Sequence, residues 1–239
     1  MNAMKKKIAV KVVSDTICPW CYIGKKRLES AIQSFTASSS ASVEFEVRHV
    51  PYLLLPQLPK EGLDKRAFYR KRVGEERYGV MVRSLQELGK SLNIKFKEDG
   101  TIGNTVLSHR LLEYAHRKGK QQETLEQVYK IYFEEGQNLA SKDVLLAAAE
   151  RAGLERTPTE QFLDGEEDLD FVLMLDRELK DNRGVHGVPH FIFNDKYAFG
   201  GAQEEAVFTS VFQKVLKDQR QTATQSKPST EEALKPSKL

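Results

Sequence analysis

This chain has little cysteine, no long apolar run and no recognisable export signal. It carries two cysteines in 239 residues. No apolar run approaches the roughly 18 residues of a membrane-spanning helix, so we expect no membrane partner. Lys5, Lys6 and Lys7 resemble the start of a secretory signal, but the apolar stretch 8–13 is short, is broken by Lys11 and precedes no small-residue cleavage site. We therefore expect a protein that is not secreted.

Charge of one sign is also not in large excess. The chain has 37 basic and 34 acidic residues, for a formal net charge of +3. It shows no concentrated basic stripe with interleaved aromatic residues, which argues against a nucleic-acid partner. Hydrophobic residues make up 40% of the chain, enough for a core. Its length suits one large domain or a domain with a substantial insertion.

Hydrophobic periodicity predicts an α/β fold that is interrupted by helices. The predicted order is strand, helix, strand, a helical block, strand, strand and helix, at residues 7–13, 19–35, 43–50, 64–182, 190–194, 197–200 and 203–217. The two flanking pieces would form one sheet-and-helix unit with the helical block inserted between them.

The predicted domain boundaries follow from this order. Residues 1–63 and 183–218 are expected to form one discontinuous domain, and residues 64–182 an inserted all-helical domain. Residues 219–239 are polar and poor in large apolar groups, so we predict a disordered tail there.

The two cysteines form the motif Cys18-Pro19-Trp20-Cys21, placed where a predicted strand ends and a helix begins. The first N–H groups of a helix are unpaired and its dipole favours negative charge, so a thiolate at Cys18 would be stabilised. Pro19 suits the first helical turn. Cys21 lies one turn further on and could attack a mixed disulfide formed at Cys18. This spacing predicts Cys18 as the attacking thiol and Cys21 as the resolving thiol, with no bound cofactor.

Three other interpretations of the pair stay open on the residues alone. His186 and His190 could complete a zinc site, but they flank a Gly-Val-Pro segment that leads into a strand, and we expect no metal. Two inert buried cysteines are the second alternative. A structural disulfide is the third, although so short a loop would add little stability. Pro189, taken alone, is expected to be trans, because only about 5–6% of X-Pro bonds are cis.

Several short stretches together are similar to the DsbA family of thioredoxin-fold oxidoreductases. The similarity is greatest to the intracellular FrnE-like branch, which also resembles 2-hydroxychromene-2-carboxylate isomerases and kappa-class glutathione transferases. The matching stretches are Ser14–Gly24, Asn104-Thr105, His109-Arg110, Gly184–Pro189 and Gly200–Gln203. The resemblance implies a thioredoxin fold, βαβ followed by ββα, with a large all-helical domain inserted in the middle.

The resemblance also implies roles that spacing alone does not assign. Pro189 would be cis and lie beside the cysteines, and the backbone of Val188 would pair with a bound peptide or with glutathione. Pro19 and Trp20 would contact the substrate. The helical block would cover the site and shape substrate access.

Asn104, His109 and Gln203 match further family positions. The alternative for Asn104 is a helix cap or turn residue, and for His109 a helix residue with satisfied hydrogen bonds. The related isomerases and transferases typically have serine in place of Cys18 and an acidic residue near Gln203. This chain has both cysteines, which favours dithiol chemistry. Glutathione stays open as a co-substrate, because a helix N-terminus can accept its carboxylate.

Three functions are therefore compared. The first is a thiol–disulfide oxidoreductase acting on protein or small-molecule thiols and disulfides. The second is a glutathione-dependent isomerase or transferase, in which Cys18 activates glutathione and Cys21 is dispensable. The third is a non-catalytic protein that holds a hydrophobic metabolite under its helical block. Homodimers occur in the related branches, but no interface is evident in this sequence.

The sequence ends in Ser237-Lys238-Leu239, the tripeptide that the peroxisomal import receptor reads. The polar segment before it would present this end freely. We therefore expect a peroxisomal protein with the import receptor as a partner. A chance match, with a cytoplasmic location, is the alternative.

Deleting Ser237–Leu239 is expected to move the protein from peroxisomes to the cytosol. Activity should be unchanged, because the tripeptide lies outside the predicted folded domains. Fluorescence microscopy of an N-terminally labelled chain would measure the location. An unchanged distribution would contradict the targeting interpretation.

Overall fold

The computed structural model describes residues 6–39 and 42–225, with side chains as far as residue 221. In chain order the elements are β1 (Lys6–Ser14), α1 (Pro19–Ser38), β2 (Val43–Pro51), β3 (Leu63–Asp64), α2 (Lys65–Val73), α3 (Glu75–Leu92), β4 (Thr101–Ile102), α4 (Val106–Arg117), α5 (Gln121–Tyr129), a π-helical turn (Lys130–Glu134), α6 (Lys142–Arg151), α7 (Arg156–Asp164), α8 (Leu169–Asp181), β5 (His190–Phe193), β6 (Tyr197–Gly200) and α9 (Glu205–Gln225).

A four-stranded sheet joins the two ends of the chain in the order β2-β1-β5-β6. β1 runs parallel to β2 and antiparallel to β5, so Val10 lies between Val47 on one side and Phe193 on the other. The helices between β2 and β5 form the insertion. The predicted thioredoxin fold with a helical insertion is confirmed.

Helix α1 belongs to two hydrophobic cores. Its C-terminal half packs Leu28 and Ala31 with the apolar side chains of β1 and with α9. Its first turns pack Cys21 and Tyr22 with the helical insertion. The ring of Tyr22 stacks on Tyr129 at a centroid distance of 4.8 Å. The cysteine motif therefore lies where the sheet unit meets the insertion.

The expectation of an all-helical insertion was wrong in one respect. β3 and β4 pair as a small antiparallel sheet, with Leu63 opposite Ile102. Gly100, just before β4, allows the chain to lie close to Gly136, because its φ is +120° and a Cβ there would lie 2.3 Å from the Gly136 carbonyl oxygen. The division into domains at residues 63/64 and 182/183 stays a prediction.

The predicted start of the tail, at residue 219, was wrong. Helix α9 continues to Gln225, so residues 219–225 are helical rather than disordered. The Nε2 of Gln219 donates to the Lys7 carbonyl at 2.8 Å and ties this turn to β1. The rest of the predicted tail, including Ser237–Leu239, lies outside the described residues. None of the helices in the described part of the chain combines the length and the apolarity that crossing a membrane requires.

Glutamines of α5 occupy the outer edge of β2. Gln121 accepts from the His49 amide and donates to the His49 carbonyl, each at 2.9 Å. Gln122 donates to the Val47 carbonyl at 3.0 Å. These bonds pair an edge that would otherwise be open. The His49 ring is buried beside Ser14, and burial, followed by the charge of Lys25, lowers its pKa from 6.5 to about 3.

Replacing His49 by glutamine is expected to flatten the pH dependence of stability between pH 6.5 and about pH 5. The folded-state pKa is about 3 and the unfolded-state pKa about 6.5, so only the unfolded chain binds the proton in this range. Wild-type stability should therefore fall on acidification, by up to about 1.4 kcal/mol per pH unit. Urea unfolding measured across this range gives the slope.

The matched control is His186→Gln, which changes an exposed histidine. This variant should keep the wild-type slope. Equal slopes for wild type and His49→Gln would contradict the assignment of the acid sensitivity to His49.

Candidate active site

Cys18 occupies the N-cap position of α1, with φ −88° and ψ 114°, and Pro19 begins the helix. This is the strand-to-helix junction at which the sequence placed the pair. The Cys18 carbonyl accepts from the amide of Cys21 at 3.0 Å and from that of Tyr22 at 3.3 Å. The Cys18 side chain caps none of the helical amides. Its sulfur is therefore held at the positive end of the helix dipole and stays available to a substrate.

The two cysteines have different surroundings. Both are free thiols and both are buried, with 4% of Cys18 and 1% of Cys21 exposed. Burial, followed by the proximity of Cys18, raises the pKa of Cys21 well above its ordinary value. Cys21 is therefore held as a neutral thiol behind Cys18.

Val188 and Pro189 lie across from the cysteines and are joined by a cis peptide bond. The Cys18 Sγ lies 3.7 Å from the Val188 carbonyl oxygen. Gly24 allows the proline to pack on α1, because a Cβ at this position would lie 3.0 Å from Pro189 Cγ. The Pro189 carbonyl accepts from the Gly201 amide at 2.8 Å. The structure thus brings Val188 and Pro189 to the reactive pair.

A largely apolar cleft of about 250 Å³ opens beside Cys18. Ile17, Cys18, Pro19 and Trp20 contribute one wall. The insertion contributes aromatic and aliphatic side chains that include Tyr69, Tyr78, Met81, Phe96, Tyr132 and Phe133. Cys21 is not among the lining residues. A molecule that reaches Cys18 through this cleft is therefore enclosed by the insertion.

His109 lies behind the cysteine loop rather than in the cleft. Its Nε2 lies 3.3 Å from Oδ1 of Asp15, and both side chains are buried. The other Asp15 oxygen accepts from the Leu54 amide at 2.7 Å. His109 therefore connects α4 to the loop that carries Cys18. Sequence reasoning singled out His109 but not its partner Asp15.

Asn104 and Gln203 also lie outside the residues that line the cleft. Asn104 donates to the Pro56 carbonyl at 2.8 Å and accepts from the Val106 amide at 2.9 Å, so it anchors the turn that precedes α4. Gln203 donates to the Gly200 carbonyl at 2.9 Å, just before α9. These contacts account for both side chains by local structure.

The residues of the proposed zinc alternative do not form a ligand set. His186 is exposed in the loop before β5, and His190 is the first residue of that strand. Within residues 6–39 and 42–225, no three histidine, cysteine or acidic side chains gather as ligands of one metal ion.

Sequence reasoning missed Lys65, Tyr69 and Tyr132, which all line the cleft. Lys65 lies in a strongly charged segment, KRAFYRKR, which is typical of a solvated helix face. The one available signal is the spacing of four between Lys65 and Tyr69, which places both on one face of a helix. In the structure Lys65 is 6% exposed, and burial lowers its pKa to about 8.

Known proteins are similar to this chain in sequence and in fold. The uncharacterized protein YwbO of Bacillus subtilis is 26% identical over 216 residues, which are 89% of this chain and 98% of that protein. A probable DsbA oxidoreductase of Streptomyces coelicolor superposes with a TM-score of 0.77 at 25% identity, over 97% of this chain and 93% of that chain.

Two further solved structures share the fold at lower identity. The cytosolic disulfide reductase DsbM of Pseudomonas aeruginosa, solved with GSH, has a TM-score of 0.59 at 16% identity, over 89% of this chain and 99% of that chain. A 2-hydroxychromene-2-carboxylate isomerase has a TM-score of 0.61 at 15% identity, over 91% of this chain and 99% of that chain.

The chain also matches the sequence profile of a protein family. The profile of the DSBA-like thioredoxin domain matches residues 9–226. The matched range includes both cysteines, the whole insertion and Pro189. This chain belongs to the DSBA-like thioredoxin domain family.

Proposed function

We propose that this protein is a thiol–disulfide oxidoreductase that uses Cys18 and Cys21 as its redox pair. The observation that carries the proposal is the asymmetry of the two thiols. Cys18 lies at a helix N-terminus and lines the cleft. Cys21 lies one turn behind it and is buried, with a raised pKa. Attack and resolution are thereby assigned to different sulfurs.

The first step joins the substrate to Cys18. The Cys18 thiolate attacks one sulfur of a substrate disulfide, a new S–S bond forms, and the other substrate sulfur leaves as a thiolate. Because Cys21 is held neutral, it does not compete for the substrate in this step. Val188, whose carbonyl faces the Cys18 sulfur, would pair with the bound substrate by backbone hydrogen bonds.

The second step releases the substrate. Cys21 loses its proton and attacks the Cys18 sulfur, and the bond between Cys18 and the substrate breaks. The products are a Cys18–Cys21 disulfide and a second substrate thiolate, so two electrons pass from the protein to the substrate. The reverse sequence would oxidise a dithiol. Glutathione is proposed as the co-substrate that returns the pair to the dithiol: two glutathione thiols supply the two electrons and become one glutathione disulfide.

A glutathione-dependent isomerase or transferase is the second candidate. The enclosed apolar cleft favours it, since such a cleft suits a small apolar substrate better than a polypeptide. In this candidate Cys18 would hold or activate glutathione and Cys21 would be dispensable.

The redox state of the pair separates the two candidates. We expect Cys18 and Cys21 to lose their free thiols together, in one two-electron transition, when the protein is equilibrated in glutathione buffers of increasing oxidising power. The reason is that an intramolecular disulfide needs both sulfurs. Acid quenching, alkylation and mass spectrometry measure the remaining thiols.

Two serine variants serve as controls. Cys21→Ser should carry a glutathione adduct on Cys18 and show no intramolecular transition. Cys18→Ser should stay unmodified, because Cys21 does not line the cleft and its raised pKa keeps it a neutral thiol. If the wild-type protein also forms only the adduct, the oxidoreductase proposal is overturned and the glutathione-dependent candidate takes its place.

A further inference from the structure

Lys65 brings an unusual charge into the cleft. Its Nζ donates to the Lys97 carbonyl at 2.8 Å and lies 5.2 Å from the ring centroid of Tyr132. No carboxylate of the described residues lies within 4.0 Å of it. An ammonium group has three N–H donors, so two remain without a protein acceptor among these residues. A buried cation in this condition is costly unless an anion joins it.

The other charged residues that line the cleft already have partners. The Nζ of Lys97 lies 3.6 Å from Asp99. Glu98 faces Arg66 at 4.0 Å and accepts from Gln86 at 3.4 Å. Lys65 is thus the charged group in the cleft wall with no carboxylate within 4.0 Å among the described residues, and Asp99 acts on it only from a longer distance.

A second polar group in the same wall is the hydroxyl of Tyr132. It is buried and makes no hydrogen bond within 3.5 Å among the described residues, and the group that interacts with it there is the hydroxyl of Tyr69, which also lines the cleft. Tyr132 is 1% exposed, so bulk water does not satisfy this hydroxyl. It lies on the residue whose ring the Lys65 ammonium faces. The cleft wall thus holds a cation with free N–H donors and, on the residue whose ring faces it, a hydroxyl donor, which are the groups that bind the oxygens of a carboxylate.

The size and polarity of the cleft describe the rest of the ligand. Its volume of about 250 Å³ is below the usual range for drug-sized ligands and holds a small molecule rather than a polypeptide loop. The remaining wall near the charged group is apolar or aromatic, as at Met81, Phe96 and Phe133. The Cys18 sulfur lies in the same cleft.

We propose that the cleft selects small thiols or disulfides with an apolar or aromatic body and one carboxylate, and that Lys65 is the residue that determines this selectivity. The inference rests on the proposed redox function, since it takes Cys18 as the reacting group. The carboxylate pairs with Lys65 and Tyr132 while the substrate sulfur meets Cys18. Lys65 takes no part in the bond exchange.

The reaction of the reduced protein with two matched probes tests this selectivity. The probes are bis(4-carboxyphenyl) disulfide and the uncharged bis(4-carbamoylphenyl) disulfide. Each aryl disulfide takes two electrons and releases two aryl thiolates and two protons, leaving the Cys18–Cys21 disulfide. The absorbance of the released aryl thiolate gives the rate constant for each probe. Each value is then divided by the rate constant of the same probe with free 2-mercaptoethanol, which corrects for the different intrinsic reactivities of the two disulfides.

We expect the wild-type protein to prefer the carboxylate probe by about tenfold or more, because a charge-assisted hydrogen bond contributes at least this much. Lys65→Gln should reduce the preference to near one, because it lowers the rate with the carboxylate probe far more than the rate with the carbamoyl probe. Lys65→Arg keeps the charge and should retain much of the preference. Lys97→Gln is the matched control, since Lys97 also lines the cleft but already has a partner.

Each other outcome has a definite meaning. A wild-type protein that reduces both probes with equal corrected rates would overturn the selectivity while leaving the redox function intact. A Lys65→Gln variant that slows both probes equally would show that Lys65 acts on Cys18 and not on the substrate. Failure to reduce either probe would remove the proposed function itself.

Discussion

The hydrogen bonds of the buried Asp15 carboxylate are the interactions on which the rest of the site depends. One oxygen accepts from the Leu54 amide, and the other lies 3.3 Å from His109 and 3.4 Å from the Ile17 amide. A buried carboxylate is tolerated only where donors replace water. Here the donors come from the cysteine loop, from the segment after β2 and from the insertion. This one side chain therefore joins three separate parts of the chain at one point, three residues before Cys18.

This arrangement explains why the redox pair lies between two cores rather than within one. The sheet unit supplies the helix terminus that suits a thiolate at Cys18, and the insertion supplies the apolar wall that excludes water. Helix α1 belongs to both, because Tyr22 packs into the insertion and Leu28 into the sheet unit. Reactivity and substrate access are thus determined by different parts of the protein.

Local patterns predicted the strands, the thioredoxin-type order and the position of Cys18, because these depend on short-range periodicity and on capping. The β3–β4 pair and the continuation of α9 depend on distant contacts, such as Gly100 against Gly136 and Gln219 against β1. Lys65 was missed for the same reason. Its burial is created by Lys97 and Tyr132, which are remote in sequence, while its own neighbours are charged and suggest a solvated helix.

The topology of the sheet also determines the order in which a growing chain can complete the site. Strand β1 pairs with β5 across more than half of the chain, and the carbonyl that faces Cys18 belongs to a residue 170 positions later. Until β5 leaves the ribosome, one edge of β1 is unpaired and the cysteines lack Val188 and Pro189. Both thiols therefore lack this part of their final surroundings during most of translation. The substrate site is thus among the last parts of the fold that the chain can complete.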